Sequence, residues 1–171
     1  MEKKLRYITY ASLAVIILTC GFLALPGQFI LPVDYPTIDA ISGYQFYFRL
    51  GGDVYNNLSG AAHVSGLGIA TIVLMALAFC SYVFAKKSSS LVLLGGLLNV
   101  ACAICFFCMN ASKASIYGAR RNWFAVGWVA YVAGAFLILT GLLSIYFAIR
   151  SFMVEKKEMT QRRESYSYLK K

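Results

Sequence analysis

Cys102, Cys105 and Cys108 stand three residues apart, a spacing that suggests a thiol redox pair or part of a metal site. Such chemistry needs the thiolate, which a nearby cation or a helix N-terminus favours. These three lie toward the C-terminal end of an apolar run, where the helix dipole opposes negative charge. No proline or glycine breaks the run there, and residues three apart on one helix rarely suit disulfide geometry. Cysteine is also a good small hydrophobe in a buried segment, and that is the reading the context favours. His63 is the one histidine of the chain. With Cys108 it could contribute to a metal site near one membrane surface, but zinc takes three or four ligands and the others are not visible. The sequence therefore predicts no metal and no cofactor.

Asn99 is the most deeply placed strongly polar side chain, and its amide must find a helix neighbour or a water-filled path. Thr71, Thr140 and Ser144 can bond to backbone carbonyls of their own helices. Asp, Glu, Lys and Arg are absent from every apolar run, although proton relays, ion-coupled transporters and voltage sensors generally depend on them. Asp34, Asp39 and Asp53 are spread along one loop, and neither a phosphate-cradling glycine loop nor a nucleophile elbow occurs. The chain is expected not to be an enzyme.

The elements that carry these residues follow from where charge is missing. Residues are 60% hydrophobic and only 13% charged, with a mean hydropathy of +0.67, too little polar surface to coat a soluble globule. Uncharged stretches run over 7–33, 54–85, 88–112 and 122–149. Each exceeds the roughly 20 residues a helix needs to cross ~30 Å of hydrocarbon. The predicted fold is an all-α membrane protein, one four-helix transmembrane domain with helices near 7–25, 61–85, 91–109 and 123–149. An outer loop spans 26–60 and a tail spans 150–171.

Twelve of the 16 Lys and Arg residues fall on the side of the two termini and the second connection, and four (Arg49, Lys113, Arg120 and Arg121) on the other. The positive-inside rule then puts both ends in the cytoplasm of a cell membrane. The net charge of +9 suits anionic inner-leaflet lipid rather than nucleic acid. Lys3-Lys4-Leu5-Arg6 before an apolar core ending in Thr19-Cys20-Gly21 resembles a lipoprotein leader. Thr19 replaces the usual small residue and the chain stays apolar to Leu25, so the first helix is expected to be retained.

Within the first outer loop, Tyr44-Gln45-Phe46-Tyr47-Phe48-Arg49-Leu50 is dense in aromatics, Gly51-Gly52-Asp53 supplies a turn and Val54-Tyr55 a return strand. A short β-hairpin and a coil resting on the headgroups fit this pattern equally well. Tyr44, Phe46, Phe48 and Arg49 are the candidate partner-binding residues. In the fourth helix Gly127, Gly134 and Gly141 recur every seven residues and Ala148 continues the series; Gly66 and Ala70 extend a second row of small residues from Ala62. Small residues in register let helix backbones approach closely, so these positions are expected to pack against a helix.

Helix, long outer loop, helix, short basic connection, helix, shorter outer loop and helix form an order that resembles the claudin-like layout. The element Ser42-Gly43-Tyr44-Gln45-Phe46 is similar to one in small uncharacterised bacterial four-helix membrane proteins. The claudin resemblance is one of topology: the 26–60 loop has no tryptophan and no cysteine, and barrier function does not follow from layout. The expected function is that of a non-enzymatic interaction or accessory subunit presenting the aromatic loop to another membrane protein or to a second copy. A small oligomeric channel or facilitator and a thiol redox enzyme are the alternatives. In intact cells, single cysteines at Lys4, Gly52, Ser89 and Lys170 should be labelled by an impermeant thiol reagent only at Gly52. Labelling at Ser89 would reverse the topology.

Overall fold

The structure is a computed structural model, and it describes residues 2–26, 30–32, 42–44, 66–85, 88–109 and 124–168. Four helices make up nearly all of it: α1 (Glu2–Ala24), α2 (Gly66–Phe84), α3 (Ser89–Phe107) and α4 (Trp128–Tyr168). All four are long and apolar enough to cross a membrane, and the chain is a multi-pass membrane protein. Two three-residue strands, β1 (Ile30–Pro32) and β2 (Phe124–Val126), pair antiparallel with Leu31 opposite Ala125. They fasten the start of the first long loop to the segment that leads into α4. The hairpin expected between the aromatic run and Val54-Tyr55 lies outside the described residues, except that Tyr44 sits in a helical turn with Gly43.

The fourth helix, expected from residue 123, instead starts at Trp128, because Phe124–Val126 pair with β1 as a strand. Otherwise the four apolar helices follow the expected spans, with two further differences. First, α1 already begins at Glu2, so its first turn carries Lys3, Lys4 and Arg6. Second, α4 does not stop at the membrane boundary expected near residue 149. It runs for 41 residues, ~61 Å at ~1.5 Å per residue. About half of that length suffices for the hydrocarbon, and the rest continues as an exposed helix through Met153 and Met159. No proline interrupts it.

Contacts are most extensive between α3 and α4, then between α2 and α3 and between α1 and α4. The helices thus stand in the order α1, α4, α3, α2 around the bundle, and the α1–α2 side is the loosest join. Where α2 gives way to α3, the Ser88 N–H donates to the Ala85 carbonyl. The outward faces carry Leu18, Leu77, Leu97, Leu139 and Leu142, while Ser12, Thr71, Asn99 and Ser144 are fully buried. Lipid reverses the soluble pattern, because hydrocarbon solvates leucine and leaves every polar group to find a partner inside.

Glycine sets how close the largest interface is. A Cβ on Gly96 would stand 2.8 Å from the Gly141 carbonyl oxygen, and one on Gly141 would stand 2.8 Å from the Gly96 oxygen. The backbones of α3 and α4 therefore touch at this crossing. Next to it, a Cβ on Gly95 would enter the Tyr82 ring, with its nearest atoms at 2.9 Å. Farther along α4, Gly134 faces the Phe107 ring at 3.2 Å, Gly127 is buried and Ala148 is fully enclosed. In α2, Gly66 faces open space and Ala70 is half-buried.

The obstacle at Gly141 is backbone, and the obstacle at Gly134 is the end of a phenylalanine side chain that can swing. Gly141→Ala should therefore cost about 1–3 kcal/mol of overpacking strain, and Gly134→Ala distinctly less. Unfolding of the two variants in mild detergent checks the order. Equal loss at both positions would show that the Gly96–Gly141 contact does not control the packing.

Candidate functional site

Five polar side chains from all four helices meet in the middle of the bundle: Ser12 of α1, Tyr82 of α2, Asn99 of α3, and Thr140 and Ser144 of α4. The close α3–α4 crossing puts them there. Asn99 follows Gly96 by one turn, and its Cβ would lie 3.2 Å from a Cβ on Gly141. Ser144 presents its own Cβ 3.1 Å from the corresponding point on Gly96. Tyr82 lies with its ring over Gly95, which brings its hydroxyl from the end of α2 into the centre.

Their hydrogen bonds form one connected set. The Tyr82 hydroxyl donates to Ser144 Oγ at 3.0 Å. Asn99 Nδ2 donates to Tyr82 Oη and to Thr140 Oγ1, both at 3.4 Å. Ser12 Oγ and Ser144 Oγ are 3.3 Å apart. Thr140 and Ser144 turn their protons onto α4 itself, Thr140 to the Phe136 carbonyl at 2.9 Å and Ser144 to the Thr140 carbonyl at 2.8 Å. One atom of the set is left over: Asn99 Oδ1 is buried and has no partner.

A second polar layer lies toward the end of the bundle that carries the loops. Cys102 is fully buried with Sγ 3.8 Å from the Thr71 carbonyl oxygen, and Cys105 bonds to the Thr71 side chain. Cys20 of α1 bonds to Tyr44. Burial pushes the Tyr44 phenol up to about 12, and the adjacent Cys20 thiol adds to the shift. The preceding residues are held as closely. Ser42 is buried, and a Cβ on Gly43 would strike Leu23 Cδ2 at 2.5 Å. At the opposite end, Ser89 donates to Ser151 at 2.9 Å across the α3–α4 interface.

Of the cysteines singled out by spacing, Cys102 and Cys105 turn inward toward Thr71, whereas Cys108 is exposed at the end of α3. Among the described residues, no three His, Cys, Asp or Glu side chains lie close enough to hold a metal ion. His63, Phe46, Phe48 and Arg49 lie outside the described residues. Asn99, Thr140 and Ser144 stood out in the sequence as polar residues in apolar runs, but Ser12 and Tyr82 did not. The signal for Tyr82 was the Gly95-Gly96 pair on the facing helix, a notch with room for a ring.

The chemistry of this arrangement is neutral. Hydroxyls and one amide hold four helices in register, and among the described residues no charged side chain joins them. Tyr82→Phe keeps the ring over Gly95 but removes both the acceptor for Asn99 and the donor to Ser144. It should cost about 1 kcal/mol, and Tyr82→Leu should cost more because the notch is also emptied. Thermal unfolding in detergent checks both, and a Tyr82→Phe protein at least as stable as the parent would mean that the hydroxyl network contributes nothing. No family model matches the chain and no curated protein matches it, so the reading of this centre rests on its own geometry.

Proposed function

We propose that the chain is a non-enzymatic interaction or accessory subunit of a cell membrane, with both ends in the cytoplasm and an aromatic outer loop offered to a partner. The bilayer is its solvent, and the partner is another membrane protein or a second copy of the chain. The reading includes no cofactor and no nucleic acid.

The observation that carries this reading is the fastening of the long loop between α1 and α2. Strand β1 ties its start to β2 at the head of α4, and the Ser42–Tyr44 turn is seated against Leu23 and Cys20 of α1. The first residue of the aromatic run Tyr44-Gln45-Phe46-Tyr47-Phe48-Arg49 is thus a fixed point. Anchoring of this kind reduces the ordering cost that a mobile loop incurs when it binds. Aromatic residues and arginine are also the side chains that most often dominate protein interfaces.

A small oligomeric channel or facilitator is the second reading, and the specific feature in its favour is the neutral polar cluster at mid-bundle. A photo-crosslinking amino acid at Phe46 or Phe48, introduced in cells, should give a discrete adduct with one membrane protein or with the chain itself. The same probe at lipid-facing Leu139 serves as the control. No adduct above that control, together with solute flux through liposomes carrying the purified protein, would replace the interaction reading with the channel.

A further inference from the structure

The hydrogen-bond inventory of the central cluster is short by one donor. An asparagine amide offers two N–H donors and a carbonyl that accepts. The donors of Asn99 are used on Tyr82 and Thr140. The four hydroxyl protons around it are committed as well. Thr140 donates to the Phe136 carbonyl, Ser144 to the Thr140 carbonyl and Tyr82 to Ser144. Ser12 lies against both Ser144 and Tyr82, and its one proton is used on one of them. Nothing remains for Asn99 Oδ1, which belongs to a residue with 0% of its surface exposed.

Turning the amide over does not remove the deficit. The carbonyl would then face Tyr82 and Thr140, and the NH2 group would be left unpaired on the other side. In hydrocarbon such a group is expensive to leave unmade. The remedy must come from outside these five side chains.

We propose that the four-helix centre is a binding site for one small uncharged hydrogen-bond donor, a water molecule, held on Asn99 Oδ1. Three features define that ligand class. The site is rich in acceptors, since Thr140 and Ser12 each keep a lone pair beyond the bonds described, so a ligand with two O–H groups has a second place to donate. Its five side chains are all neutral, so a cation held there would lack a counter-charge and an anion would meet lone pairs. It is enclosed by four helices, which favours a ligand of few atoms and makes its exchange slow. Buried waters characteristically join polar groups that the chain leaves unsatisfied. The route of exchange is the α1–α2 side, the loosest join of the bundle, beside which Ser12 and Tyr82 stand. This site is independent of what the outer loop binds.

Nuclear magnetic resonance of the full chain in lipid nanodiscs tests the proposal without a mutation. Leu98–Asn99 is the one Leu–Asn pair in the sequence, so carbonyl-13C leucine with 15N asparagine identifies the Asn99 backbone, and intraresidue transfer then identifies its side-chain NH2. Rotating-frame cross-peaks from those protons to water are read for sign, because dipolar proximity and proton exchange give opposite signs. A dipolar cross-peak from the Asn99 NH2 protons to the water resonance is the expected result. An Asn99 NH2 that shows no water cross-peak, or one of exchange sign alone, overturns the proposal and leaves a dry centre. A cross-peak that appears only on adding ammonium chloride at alkaline pH also overturns it, in favour of ammonia as the donor.

Discussion

Backbone contact between Gly96 and Gly141 is the constraint on which the rest of the bundle depends. Two helices normally keep 8–10 Å between their axes because side chains intervene. Removing both side chains at one crossing brings the main chains together, and everything within a turn of that point is drawn in. Asn99 on one side and Thr140 and Ser144 on the other come within bonding reach for this reason. Tyr82 takes its place through the neighbouring glycine. One pair of missing side chains therefore fixes a polar centre that joins α1, α2, α3 and α4.

Polar groups suit this position because the solvent is lipid. Apolar burial adds little when the alternative environment is also hydrocarbon, so close van der Waals contact and interhelical hydrogen bonds must hold the helices together. Each such bond is worth only about 0.6 kcal/mol on average in membranes, and a connected set spanning four helices is more useful than scattered pairs. Its chief effect is on register, because slipping α3 by one residue would separate Asn99 from both of its partners. Buried alanines along the bundle, Ala78, Ala103, Ala130 and Ala148, let the backbones approach without adding a polar demand of their own.

Much of this architecture was legible in the sequence. Apolar runs without charge marked the four helices, since hydrocarbon tolerates little else, and Asn99 stood out as an amide with no local partner. Ser12 and Tyr82 were harder to find, because their roles depend on which helices become neighbours, and periodicity within one helix does not encode that. The cysteine spacing drew attention to chemistry, whereas Cys102 and Cys105 share an inward face simply because residues three apart on a helix do so. The β1–β2 pair was also hidden: its partners are separated by more than 90 residues, and three-residue strands leave no alternation to read.

The length of α4 has a mechanical consequence. From Ser151, where it still bonds to α3, to its end at Tyr168, the helix runs 17 residues, ~26 Å at ~1.5 Å per residue, without a proline to bend it. The Ser89–Ser151 hydrogen bond is the pivot of this rod, ten residues beyond the Gly96–Gly141 contact. A tilt of ~10° there sweeps the far tip through roughly 4.5 Å, by the same helical rise. A small adjustment of helix packing inside the bilayer is thereby enlarged into a displacement as wide as a side chain, delivered well beyond the lipid.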